Sequence, residues 1–85
     1  MIKMLLADDE GIVLQSLQHI IEKNFGTSCE VKTAKTGREV IRLAEEFRPD
    51  IAMMDIQMPG INGIEAIEEI KTFLSQNLFY YYVGI

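Results

Sequence analysis

Apolar and polar residues follow two different periods along the chain, and these periods separate short strands from amphipathic helices. Two apolar runs and a more polar run between them predict strands at 2–7, 50–55 and 30–34. Apolar residues spaced three or four apart predict three helices. Their buried stripes are Leu14, Leu17, Ile21 and Phe25, then Val40, Ala44 and Phe47, then Ile64, Ile67, Ile70 and Leu74. The predicted order is βαβαβα.

Signals for helix ends agree with these bounds. Thr36 precedes Glu39 by three residues, a capping-box spacing, and Asn62 has the same spacing to a glutamate before the third helix. Gly26 is expected to close the first helix and Pro49 to stop the second.

Strands that alternate with helices of this length pair in parallel through right-handed crossovers. The predicted fold class is therefore α/β, an open parallel sheet with helices on both faces. The more polar second strand is expected at a sheet edge. Ligands of such sheets bind at the carboxyl ends of the strands.

Composition narrows the functional classes. The 85 residues allow one domain, and the net charge of −5, with no basic cluster, disfavours direct binding to nucleic acid or to anionic membranes. Cys29 is the only cysteine, which excludes an internal disulfide and a cysteine-based metal site. The sequence has neither a signal peptide nor an apolar run of transmembrane length, so we expect a cytoplasmic protein.

Three aspartates stand at strand ends. Asp8 and Asp9 follow the first strand, and Asp55 ends the third. If these strands are neighbours, their carboxylates meet at one edge and repel one another unless a cation binds. Oxygen ligands without histidine or cysteine favour Mg²⁺. Asp8 or Asp9 alone would more often be a helix N-cap, but the three together favour a functional site.

The segments LLADDE and MMDIQMPGING, with the βαβαβα order between them, closely resemble the receiver domain of two-component response regulators over residues 1–71. This resemblance implies a flavodoxin-like fold whose first strand lies between the second and the third. It also implies a phosphoacceptor signalling domain rather than an enzyme.

Carried over to this sequence, the resemblance makes Asp55 the residue that accepts a phosphoryl group from a histidine kinase or phosphotransfer protein. Asp9 becomes a direct Mg²⁺ ligand, Asp8 its partner acting partly through water, and the main-chain carbonyl of Gln57 a further ligand.

The loop after Asp55 carries residues that narrow or widen the range of backbone conformations. Pro59 fixes its own φ, whereas Gly60 and Gly63 can adopt conformations that other residues resist. These three residues are expected to shape a turn that keeps Asp55 open to solvent.

The C-terminal part departs from the family pattern. The family's Ser or Thr at the end of strand four and its Lys at the end of strand five have no counterpart, and Lys3, Lys32, Lys35 and Lys71 do not match the motif. We therefore expect a receiver domain that lacks its C-terminal third. It would form one domain over 1–85, with a core at 1–75 and an atypical tail at 76–85 that could hold a fourth strand at 78–83.

Two functions remain open at this point. The first is phosphoacceptor signalling with Mg²⁺, and the second is a switch-deficient interaction fragment that keeps the acidic pocket. A metal-dependent phosphotransferase acting on small molecules is disfavoured, because no second acid is placed for acid-base work. Self-association through the tail or an exposed strand edge is also expected.

Overall fold

A four-stranded parallel sheet with helices on both faces forms the core of the protein. The computed structural model describes residues 1–56, 58, 60, 63–74 and 78–82. The strand order is β2-β1-β3-β4, so β1 is central and β2 lies at an edge, as predicted. The strands are β1 (Ile2–Ala7), β2 (Cys29–Ala34), β3 (Ile51–Asp55) and β4 (Leu78–Tyr82), and the helices are α1 (Gly11–Phe25), α2 (Gly37–Phe47) and α3 (Gly63–Ile70), with a 3₁₀ turn at Gly26–Ser28.

Side chains alternate across the central strand and divide the core in two. Leu5 packs with the larger cluster, formed with α2 and α3, whereas Leu6 packs with a smaller cluster beneath α1. Both leucines are fully buried. This alternation follows from the two-residue period of a strand and places helices on both faces of the sheet.

The ends of α2 form as the sequence predicts. The Thr36 hydroxyl accepts a hydrogen bond from the backbone N–H of Glu39 at 3.2 Å, which satisfies one of the free donors of the first turn. Arg48 closes the helix in the left-handed region, with φ 51° and ψ 65°. Pro49 follows and cannot continue the helix.

Glycine closes α1. Gly26 has φ 55° and ψ −129°, and its N–H donates to the carbonyl of Glu22. Residues with a Cβ rarely adopt this backbone conformation, so glycine is needed at this position.

Two residues predicted to be buried in helix stripes are instead exposed. Phe25 is 59% exposed and is the last residue of α1. Ile64 is 44% exposed. It lies about 110° around α3 from the centre of the stripe formed by Ala66, Ile67 and Ile70, at 100° per residue.

The first strand is buried on both faces only in its second half. Leu5, Leu6 and Ala7 are fully buried, but Ile2 is 49% exposed. Asp50, predicted as part of the third strand, instead precedes β3 and binds Lys3 through two hydrogen bonds. The Asp50 N–H donates to the Lys3 carbonyl at 2.8 Å, and the Lys3 N–H donates to the Asp50 carboxylate at 2.9 Å. In the part of the chain described here, no helix is long and apolar enough to cross a membrane.

Candidate functional site

The three aspartates converge at the carboxyl edge of the sheet. Asp8 and Asp9 directly follow β1, and Asp55 is the last residue of β3. The register pairs Ala7 with Met54, so Asp8 and Asp55 come next on adjacent parallel strands. One carboxylate oxygen from each of the three aspartates lies within 4.8 Å of the others.

Backbone hydrogen bonds fix Asp8 in this cluster. Its N–H donates to the carbonyl of Ala34 at 3.1 Å, which continues the pairing of β1 with β2 beyond the end of the strand. Its Oδ1 accepts a hydrogen bond from the N–H of Glu10 at 2.9 Å. This short turn holds the Asp8 carboxylate rigidly between the strand and the start of α1.

The helix-cap alternative does not hold for this pair of aspartates. The N-cap residue of α1 is Glu10, and its side chain makes no capping hydrogen bond. Asp8 and Asp9 lie before the cap. Neither aspartate is the N-cap of α1, although Asp8 accepts the N–H of the cap residue.

Burial increases the electrostatic cost of the cluster. Asp8 is 2% exposed and Asp55 is 4% exposed, whereas Asp9 is exposed to solvent. The expectation that Asp55 is open to solvent is therefore wrong, because it ends a strand that lies between β1 and β4 in the sheet. Carboxylates are rarely buried unless they are hydrogen-bonded, paired or bound to a metal. Two buried acids and one exposed acid form a pocket that is open on one side and strongly favours a cation.

The donor set fits a hard divalent cation. All three groups are carboxylates, and Mg²⁺ and Ca²⁺ prefer such oxygen ligands. The softer ligands of the chain lie elsewhere. Cys29 is the first residue of β2, at the amino ends of the strands, and His19 is exposed on α1. Mg²⁺, which commonly uses one or two carboxylates and retains several waters, suits a site that is partly open to solvent.

The loop after Asp55 is described in part. Gly60 has φ 76°, a conformation that favours glycine, and Gly63 begins α3. Gln57 and Pro59, predicted as a carbonyl ligand and a loop-shaping residue, lie outside the described residues.

One loop residue was missed by the sequence analysis. Met58 is buried in the larger core cluster together with Met54 of β3 and Ile67 of α3. Its side chain anchors the loop three residues after Asp55. An apolar residue between Gln57 and Pro59 was the available signal, but methionine in a loop does not by itself predict burial.

Comparison with known proteins identifies the family. Residues 4–78 match the model of the response regulator receiver domain. The chain is 41% identical over 69 residues to the transcriptional regulatory protein YdfI of Bacillus subtilis, covering 81% of this chain and 32% of that protein. It is also 41% identical over 71 residues to the chemotaxis protein CheY of Halobacterium salinarum, covering 84% of this chain and 57% of that protein.

Solved structures agree with the fold. A response regulator receiver domain protein from Clostridium thermocellum matches with a TM-score of 0.89 and 28% identity, covering 99% of this chain and 66% of that one. The response regulator domain of Thermotoga maritima CheB matches with a TM-score of 0.81 and 32% identity, covering 94% of this chain and 58% of that one.

The chain thus spans less than two thirds of each of these four proteins. The matched segment contains the second part of β1, all of β3 and the three aspartates at their carboxyl ends. On this similarity of sequence and fold, the chain belongs to the family of response regulator receiver domains.

Proposed function

We propose that this chain is the phosphoacceptor domain of a two-component response regulator and that Asp55 accepts the phosphoryl group. The observation that carries the proposal is the convergence of Asp55 with Asp8 and Asp9 within 4.8 Å. Asp55 ends a strand at the carboxyl edge of the sheet, where a donor can approach from solvent through the side of Asp9.

Asp55 is the nucleophile in this reaction. One of its carboxylate oxygens attacks the phosphorus atom of a phosphohistidine in a histidine kinase or phosphotransfer protein. A P–O bond to Asp55 forms as the P–N bond breaks, and the imidazole leaves with the bonding electron pair and takes a proton from solvent. The product is an aspartyl phosphate, so the domain is a stoichiometric acceptor rather than an enzyme.

Asp8 and Asp9 act as metal ligands in this proposal. Together with Asp55 and the main-chain carbonyl of Gln57, they would hold Mg²⁺. Bound Mg²⁺ supplies charge neutralisation for the phosphoryl oxygens and the attacking carboxylate. Asp8 is held by the N–H of Glu10, which keeps one carboxylate in place when the others bind the ion.

The decisive experiment is phosphorylation by a small donor. The protein is incubated with Mg²⁺ and acetyl phosphate, and its intact mass is measured. We expect one added phosphoryl group in the wild type and none in Asp55→Asn or in the presence of EDTA. Asp50→Asn is the matched control, because Asp50 precedes the same strand at the opposite edge and should leave the adduct unchanged.

A second candidate function is an interaction module that keeps the acidic pocket without phosphoryl transfer. A groove of about 140 Å³ at the amino edge of the sheet favours it, lined by Ile2, Met4, Phe25, Ser28, Cys29 and Ile51. The exposed Phe25 ring and the edge position of β4 within the described sheet support self-association as the form of interaction.

The two candidates predict different results. A folded wild-type chain that takes no phosphoryl group, but forms dimers that Phe25→Ser disrupts in multi-angle light scattering, would favour the interaction module. A monomer at high concentration would refute self-association. A single domain over 1–85, a cytoplasmic location and the absence of direct nucleic-acid binding stay predictions.

A further inference from the structure

Lys35 lies beside the acidic cluster. It directly follows β2, whose last residue Ala34 pairs with Ala7 and accepts the N–H of Asp8. Lys35 is therefore the next residue after Ala34 at the carboxyl edge of the sheet, as Asp8 is after Ala7. Its sequence context, TAKTG, carries no motif that would single it out.

The side chain of Lys35 turns toward the start of α1. Its Nζ lies 3.4 Å, and its Cε 3.7 Å, from the position that a Cβ on Gly11 would occupy. Gly11 is two residues after Asp9 and next to Glu10, whose N–H holds the Asp8 carboxylate. The ammonium group thus lies beside the first residue of α1, two residues after Asp9.

The covalent path limits the distance between the ammonium and the acids. Gly11 and Asp9 are separated by two Cα steps of about 3.8 Å, so Nζ lies at most about 13 Å from the Asp9 Cα. The Debye length is about 8 Å at physiological ionic strength and about 30 Å at 0.01 M. The ammonium therefore acts on the site through space, and its effect depends strongly on salt.

We propose, on the basis of the proposed function, that Lys35 sets the charge balance of the phosphorylation site. Its ammonium attracts the anionic phosphodonor to the mouth of the pocket and opposes the binding of Mg²⁺. Lys35 acts through the electric field of its ammonium group and need not contact the phosphoryl group.

If Lys35 has this role, its removal should strengthen Mg²⁺ binding and slow the reaction with the anionic phosphodonor. At an effective dielectric constant near that of water and a separation of about 10 Å, removal of one charge should change the interaction with a divalent ligand about threefold at 0.01 M salt. Mg²⁺ should bind more tightly to Lys35→Gln, and acetyl phosphate should react with Asp55 more slowly. A residue needed only for structure would weaken both.

The test compares Lys35→Gln with Lys23→Gln, which removes the same charge from the far end of α1. Mg²⁺ affinity is measured by amide chemical-shift titration, and the rate of Asp55 phosphorylation by intact mass at saturating Mg²⁺. We expect both effects only in Lys35→Gln, smaller than twofold at 0.2 M salt, and restored to wild-type values in Lys35→Arg.

The outcomes separate this inference from the proposed function. If Lys35→Gln matches Lys23→Gln in both measurements, or if both measurements weaken together, the role of Lys35 is refuted. If the wild type takes no phosphoryl group, the proposed function fails, and a tighter Mg²⁺ affinity in Lys35→Gln would then still support the electrostatic role toward the metal site.

Discussion

Replacement of Asp55 by asparagine should stabilise the metal-free protein. The nearest oxygens of Asp8 and Asp55 are at most 4.8 Å apart, and both residues are almost fully buried. Two unit charges at this distance repel by about 3.5 kcal/mol at an effective dielectric constant of about 20. Asparagine keeps the shape of the side chain and removes this repulsion.

The net gain should be smaller than the full repulsion. Solvent at the exposed Asp9 side screens the cluster, and hydrogen bonds made by the carboxylates already offset part of the cost. We expect a gain of about 1–3 kcal/mol in the free energy of unfolding, which raises the melting temperature of a domain of this size by about 4–8 °C per kcal/mol.

Urea unfolding followed by circular dichroism at 222 nm, in EDTA and in excess Mg²⁺, measures this gain. Mg²⁺ binds only the folded site and stabilises the wild type more than Asp55→Asn, so the difference between the two proteins should narrow when Mg²⁺ is added. Glu68→Gln is the charge-matched control, because it removes one exposed carboxylate from α3. Equal midpoints for wild type and Asp55→Asn in EDTA, or an equal gain in Glu68→Gln, would refute the reasoning.

Three further predictions concern the fold. Thr36→Ala removes the cap of α2 and should lower the free energy of unfolding by about 1 kcal/mol in urea titrations, whereas an unchanged midpoint would contradict the capping bond. Gly26→Ala should lower the free energy of unfolding by roughly 1–3 kcal/mol, because Gly26 has a positive φ. Gly11→Ala, within α1, should be neutral or stabilising by up to about 1 kcal/mol in the same assay. Equal effects of the two substitutions would refute the argument from backbone conformation. Burial raises the pKa of the Cys29 thiol, so alkylation by iodoacetamide near pH 8 should be slower in the folded protein than in urea, and equal rates would contradict this.

Strand and helix positions were predictable because each depends on local patterns. The apolar run of β1 and the Thr36 capping box act over a few residues, and the structure confirms both. Strand order is different, because periodicity alone does not say which strands are neighbours. The order that brings Asp8 next to Asp55 came from resemblance to a family.

Features that depend on tertiary packing were not accessible from the pattern. Ile64 has helical spacing but the wrong angular position on α3, and Phe25 is exposed at the end of α1. The burial of Met58 and the position of the Lys35 side chain beside Gly11 depend on how loops fold back on the core. In each case the residue type allows several environments, and the neighbouring elements decide among them.

The packing beneath the acidic site explains how the fold tolerates three carboxylates at one edge. Leu5, Leu6 and Ala7 immediately precede the aspartates and are fully buried on both faces of β1. Burial of each leucine side chain contributes about 1.5–3 kcal/mol, so the two together contribute about as much as the repulsion between Asp8 and Asp55 costs, or more. The strand end therefore holds the acids in place against their repulsion. A cation that bound here would relieve the repulsion without having to organise the site, because the two strand ends already bring the aspartates together.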